Sequence, residues 1–217
     1  MTSGTHPVTA TVAALLALAT ATPQAAELDE EALLASLARP APEATGFVEV
    51  RYSALLVAPM VIAGQLEHRA DGTLVRRVES PFHETTELRG ENVVVEREGN
   101  RPRRFSLDRA PELRGMLASF GALLSGDAAM LRRHFAVAVH GEPGRWQIEL
   151  TPQDDKLRAR LARIVVEGTG DRPACFTLIE PDGDATIMAI GVNDRTALPA
   201  SLERDVLEAW CAGAAGR

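Results

Sequence analysis

The feature that most restricts this chain is a period-two alternation of apolar and polar residues, cut at short intervals by turn residues. Between Gly46 and Leu56, Val48, Val50 and Tyr52 alternate with Phe47, Glu49 and Arg51. That period sends successive side chains to opposite faces of a strand. Pro59 interrupts the pattern and Val61–Arg69 resumes it. Asp71-Gly72 is a tight-hairpin signal leading into Thr73–Ser80. Pro81 opens a run to Leu88, Arg89-Gly90 turns the chain into Glu91–Glu98, and Gly99-Asn100 turns it into Pro102–Leu107. Short runs joined by such short turns predict a meander in which sequential strands pair as neighbours.

The period then changes. Leu113, Met116, Leu117, Phe120, Leu123 and Leu124 fall at i, i+3, i+4, i+7, i+10 and i+11. This spacing predicts an amphipathic helix that starts after Pro111 and ends near Gly126. Asp127 is placed to cap a second short helix running to Arg133. Alternation returns in His134–His140, Arg145–Leu150, Leu161–Glu167, Cys175–Glu180 and Thr186–Gly191, with Pro181-Asp182-Gly183-Asp184 as the last turn. Glu27–Arg39 reads as a helix, with acids in its first turns, Leu33, Leu34 and Leu37 on one face, and Pro40 and Pro42 ending it. Ala200–Ala212 reads as a closing helix. The order is helix, about six strands, helices, about five strands, helix, an α+β pattern. At 217 residues, 46% of them hydrophobic, the chain suits one domain.

Residues 1–26 contain no Asp, Glu, Lys or Arg, and Val8–Ala21 is apolar throughout apart from its threonines. The run is shorter than the ~20 residues a membrane span needs, and has the length of a signal-peptide core. Cleavage is expected after Ala19-Thr20-Ala21 or after Ala26, leaving residues 27–217 as a single exported domain. No cysteine follows the apolar run closely enough to carry a lipid anchor. The net charge of −7 lies wholly beyond residue 26 and argues against nucleic acid and against electrostatic docking on anionic lipid. Cys175 and Cys211 are the two cysteines. An oxidising compartment permits a disulfide between them, and two buried thiols are the alternative.

Catalytic motifs are missing. There is no Gly-x-Ser-x-Gly, Walker loop, Gly-x-Gly-x-x-Gly or His-Glu-x-x-His, and His83-Glu84 is followed at position 87 by Glu. Asp182 and Asp184 supply too few ligands for calcium, and His134 and His140 read as surface residues. What remains is apolar surface. The face of the Leu113–Leu124 helix is either core or a lid over a cavity between sheet and helix.

Several local features together resemble the LolA-like family, the periplasmic outer-membrane lipoprotein carriers. Gly46-Phe47 opens the first strand as the family's Gly-x-Phe does. Gly64–Arg69 resembles the next strand, with Arg69 at the place of the family's strand-end arginine. Pro81 and the Arg89-Gly90-Glu91 turn follow in order. Leu117–Phe135, with Leu123-Leu124-Ser125-Gly126-Asp127 and Leu131, resembles the helical lid, and Trp146–Pro152 the strand ending in Leu-x-Pro. Ala70 stands where the family has proline, and Asp71-Gly72-Thr73 lengthens the turn, which places the chain nearer the divergent LolA-related branch.

The resemblance implies a strongly curved, unclosed antiparallel half-barrel of about ten or eleven strands with helices on its concave face. It implies an apolar cavity lined by Val48, Val50, Tyr52, Leu66, Leu113, Met116, Leu117, Phe120 and Leu124, with Arg69 clamping the lid through backbone carbonyls. The function implied is carriage of the acyl chains of a lipid or lipidated molecule by a monomer, from an inner-membrane exporter to an outer-membrane acceptor, with no catalytic group, metal or cofactor. A protein-interaction module of the same fold with a filled core is the alternative.

Overall fold

Each strand of this protein pairs antiparallel with its neighbours, and the two meanders of the sequence meet in one sheet. The structure, a computed structural model, describes residues 28–107, 127–142 and 144–214. The strands are β1 (Glu43–Tyr52), β2 (Met60–His68), β3 (Leu74–Ser80), β4 (Glu84–Arg89), β5 (Asn92–Arg97), β6 (Arg103–Ser106), β7 (Phe135–Glu142), β8 (Arg145–Pro152), β9 (Arg163–Thr169), β10 (Arg172–Ile179) and β11 (Ala185–Ile190). Their order is β6-β5-β4-β3-β2-β1-β11-β10-β9-β8-β7. One non-sequential pairing, β1 with β11, joins the meanders. The sheet is curved and does not close, so β6 and β7 are its edges.

The helices among the described residues are α1 (Glu30–Ser36), α2 (Ala128–His134), α3 (Asp155–Arg158) and α4 (Arg204–Ala214). Asp29 caps α1 by accepting from the Glu31 and Ala32 amides. Asp127 caps α2 by accepting from the Met130 amide at 2.9 Å, as its place before an apolar run leads one to expect. The single turn of α3, capped by Asp154, carries no period long enough to be read in advance.

Facing residues of an antiparallel ladder share a side, so the register sorts the core into two faces. On the first, Phe47 opposes Gly64 and Ile190, Glu49 opposes Ile62 and Met188, and Leu66 opposes Arg76. The same face continues through Phe176, Val166, Ile148 and Val139. There α1 and α2 lay Leu33, Leu34, Leu37, Leu131 and Phe135 on Trp146, Ile148, Leu150, Ile164, Val166 and Phe176. On the opposite face, α4 lays Leu207 and Cys211 on Val48, Val50, Cys175, Ile187 and Ala189. In β1, Val48 and Val50 are buried beneath α4, while on the other face Phe47 is buried among Ile62, Val78 and the half-buried Leu66 and Phe82. Cys175 on β10 and Cys211 on α4 are bonded, tying that helix to the sheet.

Gly64 and Gly168 are among the glycines required by close approach. A side chain at Gly64 would strike the Arg77 carbonyl at the bulge between β2 and β3. One at Gly168 would strike the Trp146 ring, whose Nε1 donates to the Gly170 carbonyl at 2.7 Å.

Candidate functional site

The first face differs along its length. Over β7–β10 it is sealed by α1 and α2. Toward β6 the burial weakens: Leu66, Leu74, Leu88 and Val95 are half-buried and Phe105 is 42% exposed, although Val93 and Leu107 remain buried. Leu66, Leu74, Leu88, Val93, Val95 and Phe105 lie on that face together, because Leu74 opposes Leu88, Leu88 opposes Val93 and Val93 opposes Phe105. These residues form an apolar strip that the described helices leave thinly covered.

The strip begins at a buried carboxylate paired with two arginines. Glu49, 2% exposed, accepts from Arg51 at 2.5 Å and from Arg76 at 2.9 Å, and the Arg76 guanidinium lies 4.9 Å over the Phe47 ring. A buried carboxylate demands such partners. Glu49 escaped the sequence reading as a buried group, although its parity with Phe47 marks it as sharing that residue's face.

Of the expected cavity residues that are described, only Leu66 lies on this face, beside Phe47, Ile62 and Val78. Val48, Val50 and Tyr52 lie on the other side of the sheet, under α4, where both valines are 0% exposed and the Tyr52 hydroxyl donates to the Leu202 carbonyl at 3.0 Å. One cavity cannot be lined by both sets, because the sheet divides them. Leu113, Met116, Leu117, Phe120 and Leu124 lie outside the described residues, as do residues 1–26 of the expected leader.

Arg69, expected as a lid clamp, follows β2. Its guanidinium donates to Glu67 at 3.2 Å and to Glu87 at 3.1 Å, carboxylates rather than backbone carbonyls. The hydrogen bond to Glu67, then that to Glu87, hold its pKa above the ordinary arginine value. The segment it was expected to clamp lies outside the described residues.

Under α4 the environment is less favourable to charge. Burial, then the Glu208 carboxylate, raise the Glu167 carboxyl to about 7. Burial is also the main cause that raises Tyr52 to about 12. Among the described residues no three His, Cys, Asp or Glu side chains converge as metal ligands, and no helix is long and apolar enough to cross a membrane.

An unclosed antiparallel sheet with helices on both faces, one half of one face being thinly covered by the described residues, defines an α+β half-barrel. Residues 20–213 match a sequence family described as outer membrane lipoprotein carrier protein LolA-like, and the chain belongs to that family. No curated protein matches it. Among solved structures it resembles a LolA superfamily protein, NE2245 from Nitrosomonas europaea, at 10% identity and a TM-score of 0.42, covering 83% of this chain and 98% of that one. It also resembles a DUF1329 family protein from Desulfovibrio piger at 12% identity and a TM-score of 0.39, covering 82% and 95%. The MucA/MucB complex structure from Pseudomonas aeruginosa matches at 14% identity and a TM-score of 0.38, covering 79% of this chain and 60% of that one. At such TM-scores these likenesses carry no argument, and the family match alone places the chain.

Proposed function

We propose that this protein is a periplasmic carrier that shields the acyl chains of a lipid or lipidated molecule on the strip from Leu66 to Phe105, and moves it toward the outer membrane. The observation that carries the reading is that strip: apolar side chains sharing one face, with Leu66, Leu74, Leu88 and Val95 half-buried and Phe105 exposed, in a chain whose family is named for lipoprotein carriage. Acyl burial yields ~0.8 kcal/mol per CH₂, so a strip of this kind needs no catalytic group to hold cargo. The helix expected over Leu113–Leu124, which directly follows β6 in sequence, would supply the opposite wall through Met116, Phe120 and Leu124. Residues 1–26 serve as the export signal, 27–217 form one carrier domain, and an inner-membrane exporter and an outer-membrane acceptor stand at the two ends of its route. The chain acts as a monomer and performs no reaction.

A fluorescent fatty acid tests this. Wild type should bind it at micromolar concentration. Leu88→Glu and Phe120→Glu should each lower affinity at least tenfold, because bound chains would desolvate the new carboxylate. Absence of binding by wild type, with unfolding behaviour that marks the strip as filled core, would replace the carrier with a packed interaction module of the same fold.

A further inference from the structure

The loop joining β1 and β2 presents the most exposed large apolar side chains among the described residues. Leu55 is 94% exposed and Val57 is 107% exposed, and Ala58, Pro59 and Met60 beside them are exposed too. Such residues are common singly on surfaces, but a contiguous group marks an interaction site. The loop is also held in place. The Ala54 amide donates to Asp184 Oδ1 at 3.1 Å, the Leu55 amide to Ser53 Oγ at 3.2 Å and the Leu56 amide to the Ser53 carbonyl at 3.0 Å. Its apolar tip is therefore presented by a fixed backbone, which lowers the ordering cost of binding.

What the tip fits follows from its surroundings. Behind it the loop and the β10–β11 hairpin enclose an open recess of about 380 Å³, lined by Leu56, Val57, Pro59, Asp182 and Asp184. No cation among the described residues pairs with Asp182 or Asp184. Arg204 reaches the hairpin only at the Gly183 carbonyl and pairs with Glu208, and Arg51 pairs with Glu49. Unpaired carboxylates beside the tip, on a chain of net charge −7, oppose an anionic lipid surface and a second copy of the chain. They complement a partner that brings cations.

We propose that the β1–β2 loop is a docking knob for a partner protein whose apolar socket receives Leu55 and Val57 and whose rim places Lys or Arg against Asp182 and Asp184. The knob lies off the Leu66–Phe105 strip, so the proposal stands apart from the acyl-carrier reading.

The test places p-benzoylphenylalanine at position 55 of the full chain in its native cells, with position 79, exposed on β3, as the control. Illumination should give one dominant adduct at position 55 and none at 79. Asp182→Asn combined with Asp184→Asn keeps the acceptor oxygens that shape the hairpin and removes both charges, and should lower the adduct yield at least fivefold. Val57→Asp should do the same. Urea midpoints of both variants should match wild type, which shows that folding is intact. An adduct indifferent to the paired Asn substitutions overturns the basic rim. An adduct of twice the chain mass overturns the foreign partner in favour of a second copy. Val57-dependent flotation with phosphatidylethanolamine–phosphatidylglycerol vesicles overturns it in favour of a membrane. No adduct and no flotation leave an ordinary exposed loop and also overturn it.

Discussion

The two ends of one sheet face are built from the same alternation and filled differently. Over β7–β10, Phe135, Ile148, Ile164 and Val166 are at most 1% exposed beneath α1 and α2. Over β3–β6, Leu74, Leu88 and Val95 stay half-buried and Phe105 is exposed. The first end has what a stable core needs, which is dense contact on every side. The second keeps apolar surface near water, which a stable core does not need and a binding surface does. The ionic group of buried Glu49 with Arg51 and Arg76 sits near the boundary between them.

Stability measurements can break this contrast. Phe135→Ala removes a wholly buried ring and should cost ~3–5 kcal/mol in urea unfolding, whereas Leu88→Ala should cost ~1 kcal/mol or less. Equal costs would mean that both ends are filled core. The seam between the ends, where β1 meets β11, is overlaid on its other side by α4, and the Cys175–Cys211 bond closes a separation of 36 residues. Replacing both cysteines with Ala should lower stability by ~3–4 kcal/mol, since a loop of that length gains considerable chain entropy once released. Calorimetry should still show one transition. Two transitions would reveal that the ends unfold separately and that the bond joins independent units.

How much of this was legible beforehand depends on the range of the signal. The strands, the cap at Asp127 and the hairpin turns are local, and residues a few positions apart determine them, whereas the helix expected from Glu27 starts only at Glu30, behind a cap at Asp29. The β1–β11 pairing is not local: Phe47 and Ile190 meet through the whole intervening chain, and no turn residue announces it. Sidedness failed for another reason. Parity tells which residues share a face but not which face is wet, and in β1 neither is, so Val48 and Val50 looked as eligible for the cavity as Phe47 does. The acceptors that the described residues offer Arg69 are only half legible in the sequence. Glu67, two residues earlier in the chain, was in view, but Glu87 comes alongside only through the register of β3 with β4.

The smallest expected effect lies on the reverse of the well-packed end. Glu167 on β9 opposes Cys175 and faces the α4 side, where burial and the Glu208 carboxylate raise its carboxyl to about 7 from 4.5. Arg204 donates to Glu208, and Glu208, Arg204 and Asp205 also act on the nearby Tyr52. A carboxyl whose folded value stands above its unfolded one binds a proton more tightly when folded. Its contribution to stability is therefore full below pH 4.5 and is lost as the pH rises through 7. Glu167→Gln removes that loss while keeping the shape. Because the group is partly open to solvent, the difference should be modest, ~1–2 kcal/mol. Urea unfolding of wild type and Glu167→Gln at pH 5 and pH 8 measures it, and comparing the two proteins cancels every other titration they share. The variant should gain on wild type between pH 5 and pH 8. A gap that stays constant would mean that Glu167 is solvated in the folded protein, and that α4 seals the reverse of this end less closely than α1 and α2 seal its front.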